Sequence, residues 1–142
     1  MEQHVFVRVG DGKNFNKSMN QKFFGILGNS KELTEGQLLW FVTSDRATGG
    51  DGCIIAVARF VSKNARHYAN ETLGWYKNTD QQDWRYEIKY ENIYDLQDFQ
   101  SEIFKNPYKG RASIHVVKES EQNLIKRLDR LYNAIITLMV PN

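Results

Sequence analysis

The chain has 142 residues, 41% hydrophobic and 25% charged, with a formal net charge of +2. That is the size and balance of one globular domain, and it excludes disordered and fibrous classes. The charge is unevenly spread: residues 1–70 carry nine Lys/Arg against six Asp/Glu, 71–102 three against eight, and 103–142 seven against three. A fold that gathers the two basic portions on one face would suit a phosphate backbone; a solvated mixed surface is the simpler reading of charge alone.

His4 to Val9 is a β-branched and aromatic run that predicts an opening strand, broken by Gly10-Asp11-Gly12. Asn14 or Asn16 suits the cap of a short helix through Ser18, Met19, Phe23 and Phe24, with Gly25 and Gly28 opening a loop. LLWFVT, residues 38–43, is a continuous apolar run of strand length, as expected of a strand buried on both faces. The turn-forming cluster at 44–52 and the run from Cys53 to Ser62 complete a hairpin with a long connection.

Residues 63–82 are polar, with Trp75 and Tyr76 isolated among polar neighbours. From Asp83 to Tyr90 the chain alternates: Trp84, Tyr86, Ile88 and Tyr90 on one face, Arg85, Glu87 and Lys89 on the other. Leu96 to Phe104 suggests a short helix ended by Pro107 and Gly110, and 112–117 a last strand. Over 119–140, Leu124, Leu128, Leu131, Ile135 and Leu138 fall at helical steps, predicting an amphipathic helix packed on a single domain spanning 1–142.

Cys53 is the single cysteine, so no intramolecular disulfide forms, which points to a reducing compartment or indifference to one; an intracellular location, cytoplasmic or nuclear, is expected. The N-terminal segment MEQHVFVRV reads as no secretory leader, and no apolar run approaches the ~20 residues of a membrane span. VGDGKN lacks the spaced first glycine of a phosphate loop and has Asn14 where a Ser or Thr would bind the metal. His4, His67 and His115 show no zinc-like spacing, and no Gly-x-Ser-x-Gly elbow is present. No catalytic set, metal site or cofactor is expected.

Several segments nonetheless resemble one family in order and pattern. VFVRVGDGKNFNKS is similar to the opening strand and polar loop of the EVE and YTH domains, both PUA-like; Phe23-Phe24-Gly25-Ile26 resembles their second segment. LLWFVTS and DGCIIAVARFVS resemble their central hairpin, Gly74-Trp75 their variable stretch, and DWRYEIKYENIYDL their aromatic strand and acidic element. The resemblance covers about residues 4–104. Phe24 stands where the family has tryptophan, and Ala56 replaces a glycine of the central strand.

What the resemblance implies is an α+β fold: a twisted, partly closed mixed β-barrel with flanking short helices and the C-terminal helix. It also implies a nucleic-acid partner, RNA or DNA, and a pocket for one flipped, modified or methylated base. By position Phe24 and Trp75 would wall that pocket, with Asn14, Asn16, Thr43 and Ser44 reading the base edge. Arg8, Lys13, Lys17, Arg46, Lys63 and Arg66 would contact phosphates. Trp40 and Trp84 belong in the core, Trp75 would equally serve as a lid on it, and capping or turn formation is the plainer role of the Asn, Thr and Ser residues.

Two other readings stand beside this one. An ASCH-type PUA-like enzyme, a nuclease or nucleoside amidohydrolase, would draw on Lys13 or Lys17, Thr43 and Glu87. Alternatively, the C-terminal helix would serve protein interaction, including a homodimer.

Overall fold

The continuous apolar run at 38–42 forms a strand buried at every position, Leu38–Val42. Side chains alternate across a strand, so Leu39 and Phe41 enter one core while Leu38, Trp40 and Val42 enter another on the opposite face. The opening strand divides in the same way, with Val5 and Val7 on the first face and Phe6 on the second. The computed structural model describes residues 2–10, 12, 15–16, 19, 23–26, 33–43, 52–68, 84–99, 102–110 and 112–141; of residues 23, 25–26, 64–68, 84–86 and 102 it describes the backbone alone.

In chain order the elements are β1 (His4–Arg8), β2 (Phe23–Ile26), β3 (Leu38–Val42), β4 (Ile54–Tyr68), β5 (Trp84–Asp95), a 3-10 turn (Glu102–Phe104), β6 (Ile114–Val116) and α1 (Gln122–Leu138). The strands form one mixed sheet in the order β2-β5-β4-β3-β1-β6. All neighbours are antiparallel except β1 and β3, which run parallel with Phe6 opposite Trp40. A parallel pair needs a crossover. Here the crossover carries β2 to the far edge of the sheet before the chain returns to β3.

Cross-strand register keeps the two faces consistent. Val7, Phe41 and Ala56 lie in one row on the first face, and Phe6, Trp40 and Val57 in one row on the second. On the first face Phe15 fills the centre, its ring 4.6 Å from Phe41 of β3 and 6.2 Å from Phe24 of β2. Two strands separate β2 from β3, about 14 Å across a flat sheet. The sheet therefore curls toward the side that Phe15 fills. Among the described residues the outer strands β2 and β6 do not pair with each other, so this is a curled open sheet and closure into a barrel is not seen.

The second face is covered by α1, which buries Leu128, Leu131 and Ile135. Each such side chain contributes about 1.5–3 kcal/mol by leaving water. A polar clamp adds to this apolar seam: Trp40 Nε1 donates to His4 Nδ1 at 2.9 Å, and His4 Nε2 lies 2.7 Å from Asp129 Oδ1 on the helix.

Several sequence expectations need correction. Phe23 and Phe24 lie in a strand, not a helix, because β2 pairs with β5, Phe24 opposite Ile88, and that pairing outweighs the capping signal. β4 continues through the polar stretch to Tyr68 because β5 supplies a hydrogen-bonded partner along it. β5 likewise runs on to Asp95, past a register shift and Asn92, which sits at φ 51°; asparagine tolerates that conformation. The helix expected over 96–104 reduces to the 3-10 turn at Glu102–Phe104. Glu87, placed on the solvent face by alternation, is 2% exposed and pairs with Lys89 at 3.3 Å.

Candidate functional site

Because β1 and β3 are parallel, both end at the same edge of the sheet, where Arg8 stands opposite Val42. The antiparallel partner β4 begins there, with Ile54 opposite Val42, and β5 finishes there, with Asp95 opposite Ala56. Polar side chains from segments far apart in sequence thus converge around one sheet end. This is where a site can be built from strand termini without disturbing the core.

The turn after β1 forms one wall. Gly12 N donates to the Val9 carbonyl and Asn16 N to the Gly12 carbonyl, both at 2.9 Å. Gly12 has φ +84°, and a Cβ there would meet Ile55 Cδ1 at 3.4 Å and Thr43 Cγ2 at 3.6 Å. Both are ordinary van der Waals contacts, so it is the positive φ that a glycine suits here. Asn16 is exposed, and its side-chain oxygen accepts from Gln97 Nε2 at 2.8 Å. Gln97 is in turn held by Asp95, whose Oδ1 accepts from Gln97 N at 3.0 Å. The Asn16 amide is thereby oriented, with its oxygen toward Gln97 and its NH2 group on the other side.

Thr43 and Cys53 form an adjoining wall. Thr43 Oγ1 accepts from Cys53 N at 2.9 Å, and Thr43 N donates to the Cys53 carbonyl at 2.9 Å. Asn106, 5% exposed, donates through Nδ2 to the Thr43 carbonyl at 3.0 Å, while its oxygen accepts from Tyr108 N at 2.8 Å. Its own N–H donates to the Gly52 carbonyl at 2.9 Å. One buried asparagine thus ties the segment after the 3-10 turn to both strands at the base of the 44–51 connection. Beneath these walls the packing is apolar: Val9, Phe15 and Ile55 are all buried.

Of the residues picked out from the sequence, Arg8, Asn16 and Thr43 are brought to this end, with the Thr43 hydroxyl engaged by Cys53. Phe24 lies elsewhere, 4% exposed and packed on Phe15 in the first core. Lys63 is half-buried opposite Ile88, far along β4 from Ile54, and Arg66 is farther still on the same strand. Trp75, Asn14, Ser44, Lys13, Lys17 and Arg46 lie outside the described residues. Thr43 and Glu87 are not neighbours in register: Glu87 stands opposite Gly25 and Asn64, well away from the start of β4.

Sequence reasoning missed Gln97, Asp95 and Asn106. No local pattern marks them, because their roles depend on which strands end together. Among the described residues no group of three or more His, Cys, Asp or Glu could hold a metal ion, and no helix is long and apolar enough to cross a membrane.

No protein-family model and no curated protein matches the chain. Solved structures that are similar to it in part include the following two. One is a Pseudomonas syringae protein from a structural genomics consortium, 16% identical over 88% of this chain and 98% of that one, with a TM-score of 0.47. The other is the YTH domain of Pho92 in complex with m6A, 14% identical over 89% of this chain and 82% of that one, with a TM-score of 0.49. These likenesses concern the chain trace and assign the chain to no family.

Proposed function

We propose that the chain is a non-enzymatic nucleic-acid reader that accepts one extruded base at the sheet end where β1 and β3 terminate. The observation that carries this reading is the meeting of the ends of β1, β3 and β5 with the turn that holds Asn16, whose amide is exposed there. A base has a hydrophobic face and a hydrogen-bonding edge, and the exposed Asn16 amide offers a partner for the edge. The resemblance of residues 4–104 to EVE and YTH domains supports the same conclusion.

Turning a base out of its stack costs a few kcal/mol, and stacking on an aromatic side chain returns about 1–3 kcal/mol. In this reading Trp75 supplies the ring, while Asn16, with Asn14 and Ser44, reads the edge. Phe24 supports the apolar packing beneath the site through Phe15 instead of facing the base. Arg8, Lys13, Lys17 and Arg46 hold phosphates around the opening, and Lys63 and Arg66 would meet only a longer segment. A methylated base is easier to unstack and more apolar, so the pocket would favour it.

The experiment is a binding comparison of short single- and double-stranded oligonucleotides, with and without methylated bases, on the wild-type chain and Trp75→Ala. Binding of a single-stranded probe that falls about 5- to 150-fold in the variant fits the lost stacking energy. Equal affinity in both proteins would remove Trp75 from the site, and no binding to any probe would remove the function.

A further inference from the structure

The helix that covers the second face has a second surface. Between α1 and the 3-10 turn lies a groove of about 480 Å³ whose lining includes Ile103, Lys126, Arg127, Arg130, Leu131 and Ala134. That volume is within the range of roughly 300–1,000 Å³ common for ligand clefts. Its floor is apolar: Leu131 belongs to the second core, while Ile103 is 57% exposed. Its rim is cationic, and among the described residues no carboxylate lies within ion-pair distance of Lys126, Arg127 or Arg130. Lys126 and Arg130, one turn apart, repel each other weakly, and the one carboxylate among them, Asp129, is turned to His4.

The groove is linked to the sheet end described above, although it covers the second face while Val9, Phe15 and Ile55 lie on the first. Arg127 Nη2 donates to the Lys105 carbonyl at 3.3 Å. Lys105 forms an isolated bridge with Cys53, whose N–H in turn holds Thr43. Asn106, the next residue, fixes the Thr43 carbonyl. One short segment, 105–106, thus joins the helix groove to the wall of the candidate site.

We infer that this groove is a track for the phosphodiester backbone of a single strand that rounds the sheet end and places its extruded base in the site there. The inference rests on the proposed function and extends it from a one-nucleotide pocket to a binding site several nucleotides long. Lys126 and Arg130 stand one turn apart, about 5–6 Å between their Cβ atoms. They present successive cations to a chain of phosphates, while Ile103 and Ala134 offer apolar contact to sugars or bases. Contacts of this kind position a strand and carry no sequence information.

The test uses fluorescein-labelled single-stranded RNA of 5 and 15 nucleotides, with anisotropy titrations from 50 to 200 mM salt on wild type and the double variant Lys126→Ala/Arg130→Ala. Both side chains are exposed, so the fold should persist, as far-UV circular dichroism would verify. The track predicts that the variant binds the 15-mer about tenfold more weakly. Its slope of log K against log salt should be shallower by about 1.4, at about 0.7 per lost phosphate contact. Binding of the 5-mer should be unchanged. If wild type binds both lengths and the variant keeps the wild-type slope on the 15-mer, the track is wrong while the reader survives. If wild type binds neither length, both fall. If polyglutamate displaces the 15-mer as well as unlabelled RNA of equal charge does, the groove is a site for acidic peptides and the inference is overturned.

Discussion

His4 and Trp40, diagonal to each other across the β1–β3 pair, share a buried hydrogen bond of 2.9 Å from the indole nitrogen to Nδ1 of the imidazole. Indole only donates, so His4 Nδ1 must accept, and the imidazole proton resides on Nε2. That nitrogen lies 2.7 Å from Asp129 Oδ1. Strand, strand and helix are thus joined by one directional chain of hydrogen bonds. His4 is 2% exposed, and its position in the opening strand leaves no role for it at the sheet end where Thr43 lies.

Replacing His4 with alanine should cost about 1–3 kcal/mol, because the buried Trp40 N–H loses its acceptor. Asp129→Ala should cost under about 1 kcal/mol, since that carboxylate is mostly exposed. Urea denaturation followed by tryptophan fluorescence measures both; equal effects would show that the clamp is not ordered as described.

Leu128 is fully buried in the second core, whereas Leu138 is 82% exposed. Leu128→Ala should lower stability by about 2–5 kcal/mol, and Leu138→Ala by less than about 0.5 kcal/mol. The same pair tests the alternative that the helix serves association. The burial of Leu128, Leu131 and Ile135 against the chain's own sheet leaves a homodimer through that stripe without support. A strong effect of Leu138→Ala on mass in solution would reopen it.

Gly12→Val should destabilise by at least about 1–2 kcal/mol, because a β-branched residue is strained at φ +84° and its Cβ would approach Thr43 and Ile55. Gly36 has φ +92° but open space around it. Gly36→Ala should therefore carry only the backbone strain. Thermal denaturation of Gly12→Ala, Gly12→Val and Gly36→Ala measures these costs, the first and last sharing the backbone strain.

Asn106→Ala should cost about 1–3 kcal/mol by leaving the buried Thr43 carbonyl without its side-chain donor. It should also weaken oligonucleotide binding, because the wall of the site loses its brace. Loss of stability with unchanged affinity would show that this wall is structural only.

Much of the fold was legible in residues 38–43, where an unbroken apolar run can only be a strand covered on both sides, and in the three- and four-residue steps of the C-terminal helix. What was not legible depended on pairing. Phe23 and Phe24 carry no strand alternation of their own and become β2 only because β5 lies beside them. The polar end of β4 is ordered by the same partner. Arg8, Asn16 and Thr43 could be singled out by type and position, but their meeting at one end follows from the parallel β1–β3 pair, which no local pattern announces. The Lys126, Arg127 and Arg130 spacing is visible in the sequence. Its isolation from carboxylates appears only once the helix is docked.

The measurement that tests the central claim most directly is the affinity of the wild-type chain for a single-stranded oligonucleotide across a salt series, repeated with Arg8→Ala. The account predicts measurable binding that falls steeply with salt, with a slope shallower by about 0.7 in the variant. Affinity that stays flat from low to moderate salt, or no binding at any salt, would contradict it.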